Sequence, residues 1–234
     1  MEKNICLCTV CIGESVETYS KLTIPTYIRY CKNFNFDFFK IDKIGDHIGP
    51  HWAKHDVIPL LDKYEYIIFI DSDVYIKKNS PNILESLPKK DWDVAAWSQT
   101  DVYKNKGYLN KYKRWVNEYI QEVNLKSLNN YNGSPYINSG VLVLSQGFKK
   151  YNKELFPETN NLRIKDQNAL NYAILSGFLK WVPLERKFNF NSDNKRKENK
   201  EIYSNKTHFI HFWAAGSKKF QRIKNFKVKI KDKI

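Results

Sequence analysis

What this chain lacks narrows it first. No apolar stretch approaches the roughly 20 residues of a bilayer-spanning helix; the run Ile67 to Ile70 is typical of its longest aliphatic segments, which argues against a transmembrane protein. The amino-terminal stretch MEKNICLCTVCIG holds one lysine and no small-residue cleavage site. It lacks the marks of a secretory signal, and we expect it to be the first core strand of a cytoplasmic protein. Cysteine is scarce: Cys6, Cys8, Cys11 and Cys31 form no repeated pair of the kind that holds zinc, and a reduced, structural role is expected. Arginine is scarcer still for so basic a chain. Only six of its 39 basic residues are Arg, which weakens the case for a nucleic-acid surface, where Arg-rich patches are usual. Acidic residues number 25, leaving a net charge of +14. Lys and Asn are spread everywhere, but residues 218–234 concentrate seven Lys and one Arg against Asp232. That tail reads either as a solvated segment or as one that meets an anionic membrane surface, peripherally.

No internal repeat and no linker divides the 234 residues, and 42% of them are hydrophobic, enough for one large core. Short apolar runs alternate with helix-period stretches: Ile5 to Ile12, Val16 to Cys31, Phe36 to Ile41, Trp52 to Tyr64, Tyr66 to Ile70. This is the rhythm of an α/β fold with a Rossmann-like, mostly parallel sheet flanked by helices. Further strands are expected at Val94 to Ser98, Tyr136 to Ser145, Leu179 to Pro183 and Thr207 to Trp213, with helices at Tyr108 to Asn124 and Asp166 to Leu175. The polar stretch from Lys187 to Lys206 reads as a surface loop. We therefore expect one domain over residues 1–217 and a basic segment over 218–234. In that segment Phe226, Val228 and Ile230 alternate with lysines, as in a half-buried strand or a membrane-surface segment.

The sharpest motif is IIFIDSDVYI. A buried strand delivers Asp71 and Asp73 to its carboxyl end, where open α/β sheets bind ligands. Carboxylates two positions apart share a strand face, so both can reach one hard cation. Haloacid-dehalogenase phosphatases use a similar pair, but near the amino terminus and with Thr soon after; here Tyr75 follows. A basic module binding nucleic acid or anionic membrane without catalysis is the other alternative, and it leaves the paired aspartates idle.

Four further strings resemble, in order, those of GT-A glycosyltransferases of the glycogenin-like and lipopolysaccharide galactosyltransferase-like type, and of the galactosyl/xylosyltransferase type. They are His51-Trp52-Ala53-Lys54 before the Asp pair, Asn138-Ser139-Gly140 before an apolar strand, Asp166-Gln167 opening a helix, and His211-Phe212 followed by Gly216 and Lys218. The resemblance implies a single GT-A domain and a retaining transfer from a nucleotide diphosphate donor, a UDP-sugar, to an acceptor hydroxyl on a glycan, protein or lipid-linked sugar. It implies a metal held by Asp71, Asp73 and His211. Imidazole beside carboxylates favours Mn2+, with Mg2+ as the alternative. Gln167 and Asp166 then lie near the reacting sugar carbon. Lys54, Asn138, Ser139 and Ser72 line the donor, Thr9 and Tyr19 contact the base, and Gly216 and Lys218 meet the diphosphate. An Ala214-Ala215 insertion shifts this last pattern, so Lys219 is a second candidate for the phosphate contact. Trp97, Trp115, Trp181 and Trp213 belong either to the core or to an acceptor groove.

Overall fold

The computed structural model describes residues 4–89, 91–160, 165–192, 201–213 and 218–231. Its centre is a six-stranded sheet. Ile5–Val10 (β1) is followed by helix Glu14–Phe34 (α1), strand Asp37–Ile41 (β2), a 3₁₀ helix Trp52–Asp62 and strand Tyr66–Ile70 (β3). Val74–Ile76 (β4) leaves the sheet, and Val94–Ser98 (β5), helix Lys106–Glu122 (α2), Ile137–Ser145 (β6), helix Lys165–Leu175 (α3) and Trp181–Pro183 (β7) complete it. The strand order is β2-β1-β3-β6-β5-β7. Every pairing is parallel except the two made by β6, so the sheet is mostly parallel, as expected.

The sheet is covered on both faces, which is why β3 reads as an unbroken apolar run. Ile67 and Phe69 join a cluster with Trp52, Leu61 and Trp115 beneath the 3₁₀ helix, α2 and α3. Ile68 and Ile70 face the other way, toward Leu7 on β1 and Tyr27 on α1. The stretch expected to be an ordinary helix from Trp52 is instead 3₁₀ in its pattern. Pro59 inside it has no N–H to donate to an α-helical ladder.

A second, three-stranded sheet carries the chain's later part: β4 pairs with Phe209–His211 (β9), which pairs with Phe190–Asn191 (β8). The expected strand over Thr207 to Trp213 is thus shorter and belongs to this sheet. The stretch read as a surface loop is also partly interior, since Phe188, Asn189 and Phe190 are buried; residues 193–200 lie outside the described residues.

The basic tail is neither a strand nor a solvated segment: Lys218–Lys231 is a helix (α4). Lys219, Ile223, Phe226 and Ile230 fall at helical spacing on its inner side, and Ile223 and Phe226 are fully buried against the small sheet and α1. Val228, which the alternating pattern placed beside Phe226, is exposed. Phe226 packs its ring against those of Tyr75, Tyr203 and Phe212 at 5.2, 5.5 and 5.6 Å. Phe226→Ala is expected to cost about 3–5 kcal/mol by denaturant unfolding, the usual range for a buried ring cut to a methyl. Among the described residues, no helix is long and apolar enough to cross a membrane.

Candidate active site

Asp71, Ser72 and Asp73 form the turn between β3 and β4, at the carboxyl end of the central strand. A stripe of hydroxyls on α1, at helical spacing, holds that turn. Tyr19 Oη lies 3.4 Å from Ser72 Oγ, and Thr23 Oγ1 donates to the Ser72 carbonyl at 2.7 Å. Tyr27 Oη sits between the carbonyls of Asp71 and Val74, at 2.9 and 2.6 Å. From the other side Asp71 N donates to the Gly140 carbonyl at 2.8 Å, and Phe212 N to the Asp73 carbonyl at 3.0 Å. The two carboxylates therefore meet through a clamped turn, and not through the shared strand face that their spacing suggests.

His211 closes the group from β9. Its Nε2 is 3.3 Å from Asp73 Oδ1 and 3.8 Å from Asp71 Oδ2, and one ligand atom from each of the three lies within 4.8 Å of the others. The ring's orientation is set behind it. Nδ1 is 2.9 Å from Asn189 Oδ1, and donating there fixes the ring with Nε2 directed at the carboxylates, where it donates a proton to Asp73 or, once deprotonated, offers its lone pair to a metal. The chain of amides continues inward. Asn189 Nδ2 donates to Asn138 Oδ1 at 2.7 Å, and Asn138 Nδ2 and Ser139 N both donate to Gln167 Oε1, at 3.3 and 3.1 Å. Gln167 Nε2, in contrast, is buried without a hydrogen-bond partner among the described residues. Gly140 makes room for this assembly, because a Cβ there would lie 2.1 Å from His211 Cε1 and 2.6 Å from its Nδ1.

Two lysines balance the acids. Lys54 Nζ, from the 3₁₀ helix, reaches Asp166 Oδ2 at 2.7 Å, Asp71 Oδ1 at 3.0 Å and Ser139 Oγ at 3.2 Å. Burial alone would lower the Lys54 ammonium, but Asp166 and Asp71 outweigh it and hold the group above its ordinary value. Lys219 Nζ, from α4, pairs with Asp73 Oδ2 at 2.6 Å and lies 5.4 Å from the centre of the Tyr19 ring. Burial works to raise the Asp73 carboxyl, and His211 with Lys219 reverse this, holding it well below the usual carboxylate range. Asp166 is likewise buried and likewise kept below its ordinary value by Lys54 and Ser139. Its Oδ2 is given over to Lys54 and to Ser139 Oγ, at 2.9 Å.

The remaining expected residues divide. Tyr19 and Ser72 stand at the turn, and Asn138, Ser139 and Gln167 line the cleft. Thr9 is wholly buried in β1 and borders neither cavity, while its neighbour Val10 does. Lys218 is exposed, and Lys219 occupies the site in its place. Gly216 lies outside the described residues. Of the tryptophans, Trp115 and Trp213 line the cleft, Trp97 is core, and Trp181 donates its indole N–H to the Ala96 carbonyl at 2.9 Å. Sequence reasoning missed Asn189, hidden in a polar stretch whose only signal of burial is the pair Phe188 and Phe190.

Two hollows open from this centre. One, about 140 Å3, is a slot lined by Val10, Ile12, Val16 and Tyr19, at the end of β1 and the start of α1. The other, about 360 Å3, is lined by Tyr103, by Tyr108, Tyr112 and Trp115 of α2, and by Trp213. His51, Lys54, Asp71, Asp73 and Lys219 border both.

The sequence profile of glycosyl transferase family 8 matches residues 52–222, and the chain belongs to that family. No curated protein sequence matches it. Among solved structures it is similar to a glycosyltransferase involved in the glycosylation of the major capsid of PBCV-1, at 14% identity and a TM-score of 0.62, covering 96% of this chain and 98% of that one. It is similar to the bifunctional glycosyltransferase WbbM at 16% identity and a TM-score of 0.66, over 98% of this chain and half of WbbM. The galactosyltransferase LgtC, solved with donor and acceptor sugar analogues, aligns at 12% identity and a TM-score of 0.53, over 96% of this chain and 95% of LgtC. The fold is thus the GT-A glycosyltransferase fold, and the protein is a glycosyltransferase. Both the phosphatase and the non-catalytic binding module are set aside.

Proposed function

We propose that the protein transfers a sugar from a nucleotide diphosphate donor, a UDP-sugar, to a hydroxyl of a sugar-bearing acceptor, with retention of configuration. The observation that carries this reading is the junction of the two hollows. The slot at β1 and α1 would take a base and ribose, the aromatic hollow along α2 would take sugar rings, and the charged residues that border both would meet a diphosphate linking them.

Asp71, Asp73 and His211 would hold a divalent cation, and the donor set of two carboxylates and an imidazole fits Mn2+, or Mg2+ less well. When bound, such an ion neutralises charge developing on the departing diphosphate. Lys219 is the chain's own partner for the phosphate oxygens, and Tyr19 supports it beside the slot. Lys54 is held at the junction by Asp166 and Asp71, so Asp166 acts as a positioning residue for Lys54 and Ser139. Gln167 lines the hollow where the sugar carbon reacts, and its Oε1 is fixed there by Asn138 and Ser139. There the bond from the anomeric carbon to the phosphate oxygen breaks, a bond to the acceptor oxygen forms, and the acceptor's proton leaves with the nucleotide diphosphate. Tyr108, Tyr112 and Trp115 offer flat faces for an acceptor sugar. The exposed Lys218, Lys224 and Lys229 of α4 support contact with an anionic membrane surface by charge alone, since Ile223 and Phe226 are buried inside.

Asn189→Ala should lower Mn2+ affinity by roughly 10–100-fold, as loss of a partner behind a metal-binding imidazole does; Mn2+ electron paramagnetic resonance titration reads this directly. The donor is tested by melting temperature. UDP with Mn2+ should stabilise the protein, by about 2.7 kcal/mol at a hundredfold excess over Kd, and UDP with chelator should not. Equal shifts with ADP, GDP and CDP would contradict the assignment.

A further inference from the structure

Away from the cleft, a second group of metal-ligating side chains comes together that the transfer reaction does not use. His47 lies in the loop after β2, His55 on the 3₁₀ helix, and Glu158 in the segment between β6 and α3. Each places a ligand atom within 4.8 Å of the other two. Around a tetrahedral ion with bonds of about 2.1 Å, ligand atoms lie about 3.4 Å apart, so the three need only small adjustments to enclose one.

Each ligand is already oriented. Glu158 Oε2 accepts from Ile48 N at 2.9 Å, which turns Oε1 toward His47 Nδ1, its hydrogen-bond partner. Behind His47, Nε2 lies 2.9 Å from Asp56 Oδ1, the carboxylate–imidazole pairing that presents the opposite nitrogen to a metal. His55 is gripped edge-on by Trp52, Tyr151 and His47, with ring centroids 5.4, 5.4 and 6.0 Å away. Its Nδ1 is buried without a hydrogen-bond partner among the described residues. Leaving such a nitrogen unbound costs stability, and a ligand to it removes that cost.

We propose that His47, His55 and Glu158 bind a Zn2+-class transition-metal ion, with Asp56 behind His47 and a fourth position for water. Two imidazoles and a carboxylate are the donors such borderline ions prefer, and unlike the cleft's cluster this one is richer in nitrogen than in oxygen. The ion would staple the 42–51 loop and the 151–160 segment to the short helix that carries Lys54 and His55. Trp52, whose indole N–H donates to the Thr159 carbonyl at 3.1 Å, makes the same tie without metal.

The test uses full-length protein stripped with chelator, in an Asp73→Asn background that disables the cleft's own cluster. Added Zn2+ should bind at one equivalent per chain and raise the melting temperature, and Co2+ should give the intense visible absorption of a four-coordinate ion. His55→Ala and Glu158→Gln, each in that background, should weaken Zn2+ binding at least roughly tenfold. The proposal is overturned if the background protein, still folded by circular dichroism, takes up no Zn2+. It is also overturned if both further substitutions leave the affinity unchanged.

Discussion

Asp73→Asn should reduce donor turnover by roughly a hundredfold or more, while the far-ultraviolet circular dichroism spectrum stays that of the native protein. Both oxygens of the buried Asp73 are engaged, Oδ1 near His211 Nε2 and Oδ2 with Lys219. An amide in that place turns an N–H2 toward one of them and removes a metal-binding charge. Breaking a buried pair can cost 3–5 kcal/mol, but Lys219 is partly exposed and regains water, so a loss of about 2 kcal/mol is the expectation. The pH dependence follows from the same contacts. A carboxyl held below its unfolded value contributes stability that is complete above that unfolded value, near 3.9, and is lost as pH falls through the folded one. In acid unfolding without metal, the wild type should therefore lose its advantage over Asp73→Asn as pH drops below about 4. Undiminished turnover in the variant would remove Asp73 from the site.

Gly140→Ala should be nearly as damaging to turnover, although it changes no charged or ligating group. A methyl at this position falls 2.1 Å from His211 Cε1 and 3.0 Å from Asn138 Oδ1. His211 cannot yield without leaving Asn189 and the carboxylates, and Asn138 cannot yield without releasing Gln167. The strand cannot yield either, since the Gly140 carbonyl accepts from Asp71 N. Overpacking of this kind costs typically about 1–3 kcal/mol, and Mn2+ affinity should fall at least as far as in Asn189→Ala. A variant with wild-type Mn2+ affinity and turnover would show that His211 does not need its present position. The glycine of the Asn-Ser-Gly string thus has a steric reason: it is the floor under an imidazole that arrives from 71 residues downstream in the sequence.

That example shows what the sequence made legible. Asp71 and Asp73 announced themselves because a buried strand ending in two acids is a local pattern, and His211 because it recurs with that pattern in a family order. The reason for Gly140 was invisible, since it depends on which residue folds over it. Lys219 was legible only as the second candidate beside Lys218, and the period of the tail decides between them. Read with a strand period, the tail pairs Phe226 with Val228 and leaves the lysines indistinguishable; read with a helical one, Lys219 stands on the stripe of Ile223, Phe226 and Ile230, and Lys218 turns outward. Asn189 was hidden for a different reason, as a polar residue among polar neighbours that is buried because it satisfies His211 and Asn138. Thr9 was placed near the base from its position alone, and the strand's alternation points Val10 to the slot instead.

The central claim is that catalysis depends on a metal gripped by the Asp71, Asp73 and His211 cluster, and titrating Mn2+ against UDP-sugar hydrolysis tests it most directly. Chelated wild-type protein should release no UDP, and added Mn2+ should restore release. His211→Ala should need at least roughly tenfold more Mn2+ with partial rescue at high concentration. His208→Ala, whose ring packs 5.3 Å from that of Phe188 and outside the cluster, should titrate like the wild type. Hydrolysis that persists in chelator, or an Mn2+ requirement that His211→Ala leaves unchanged, would contradict the account.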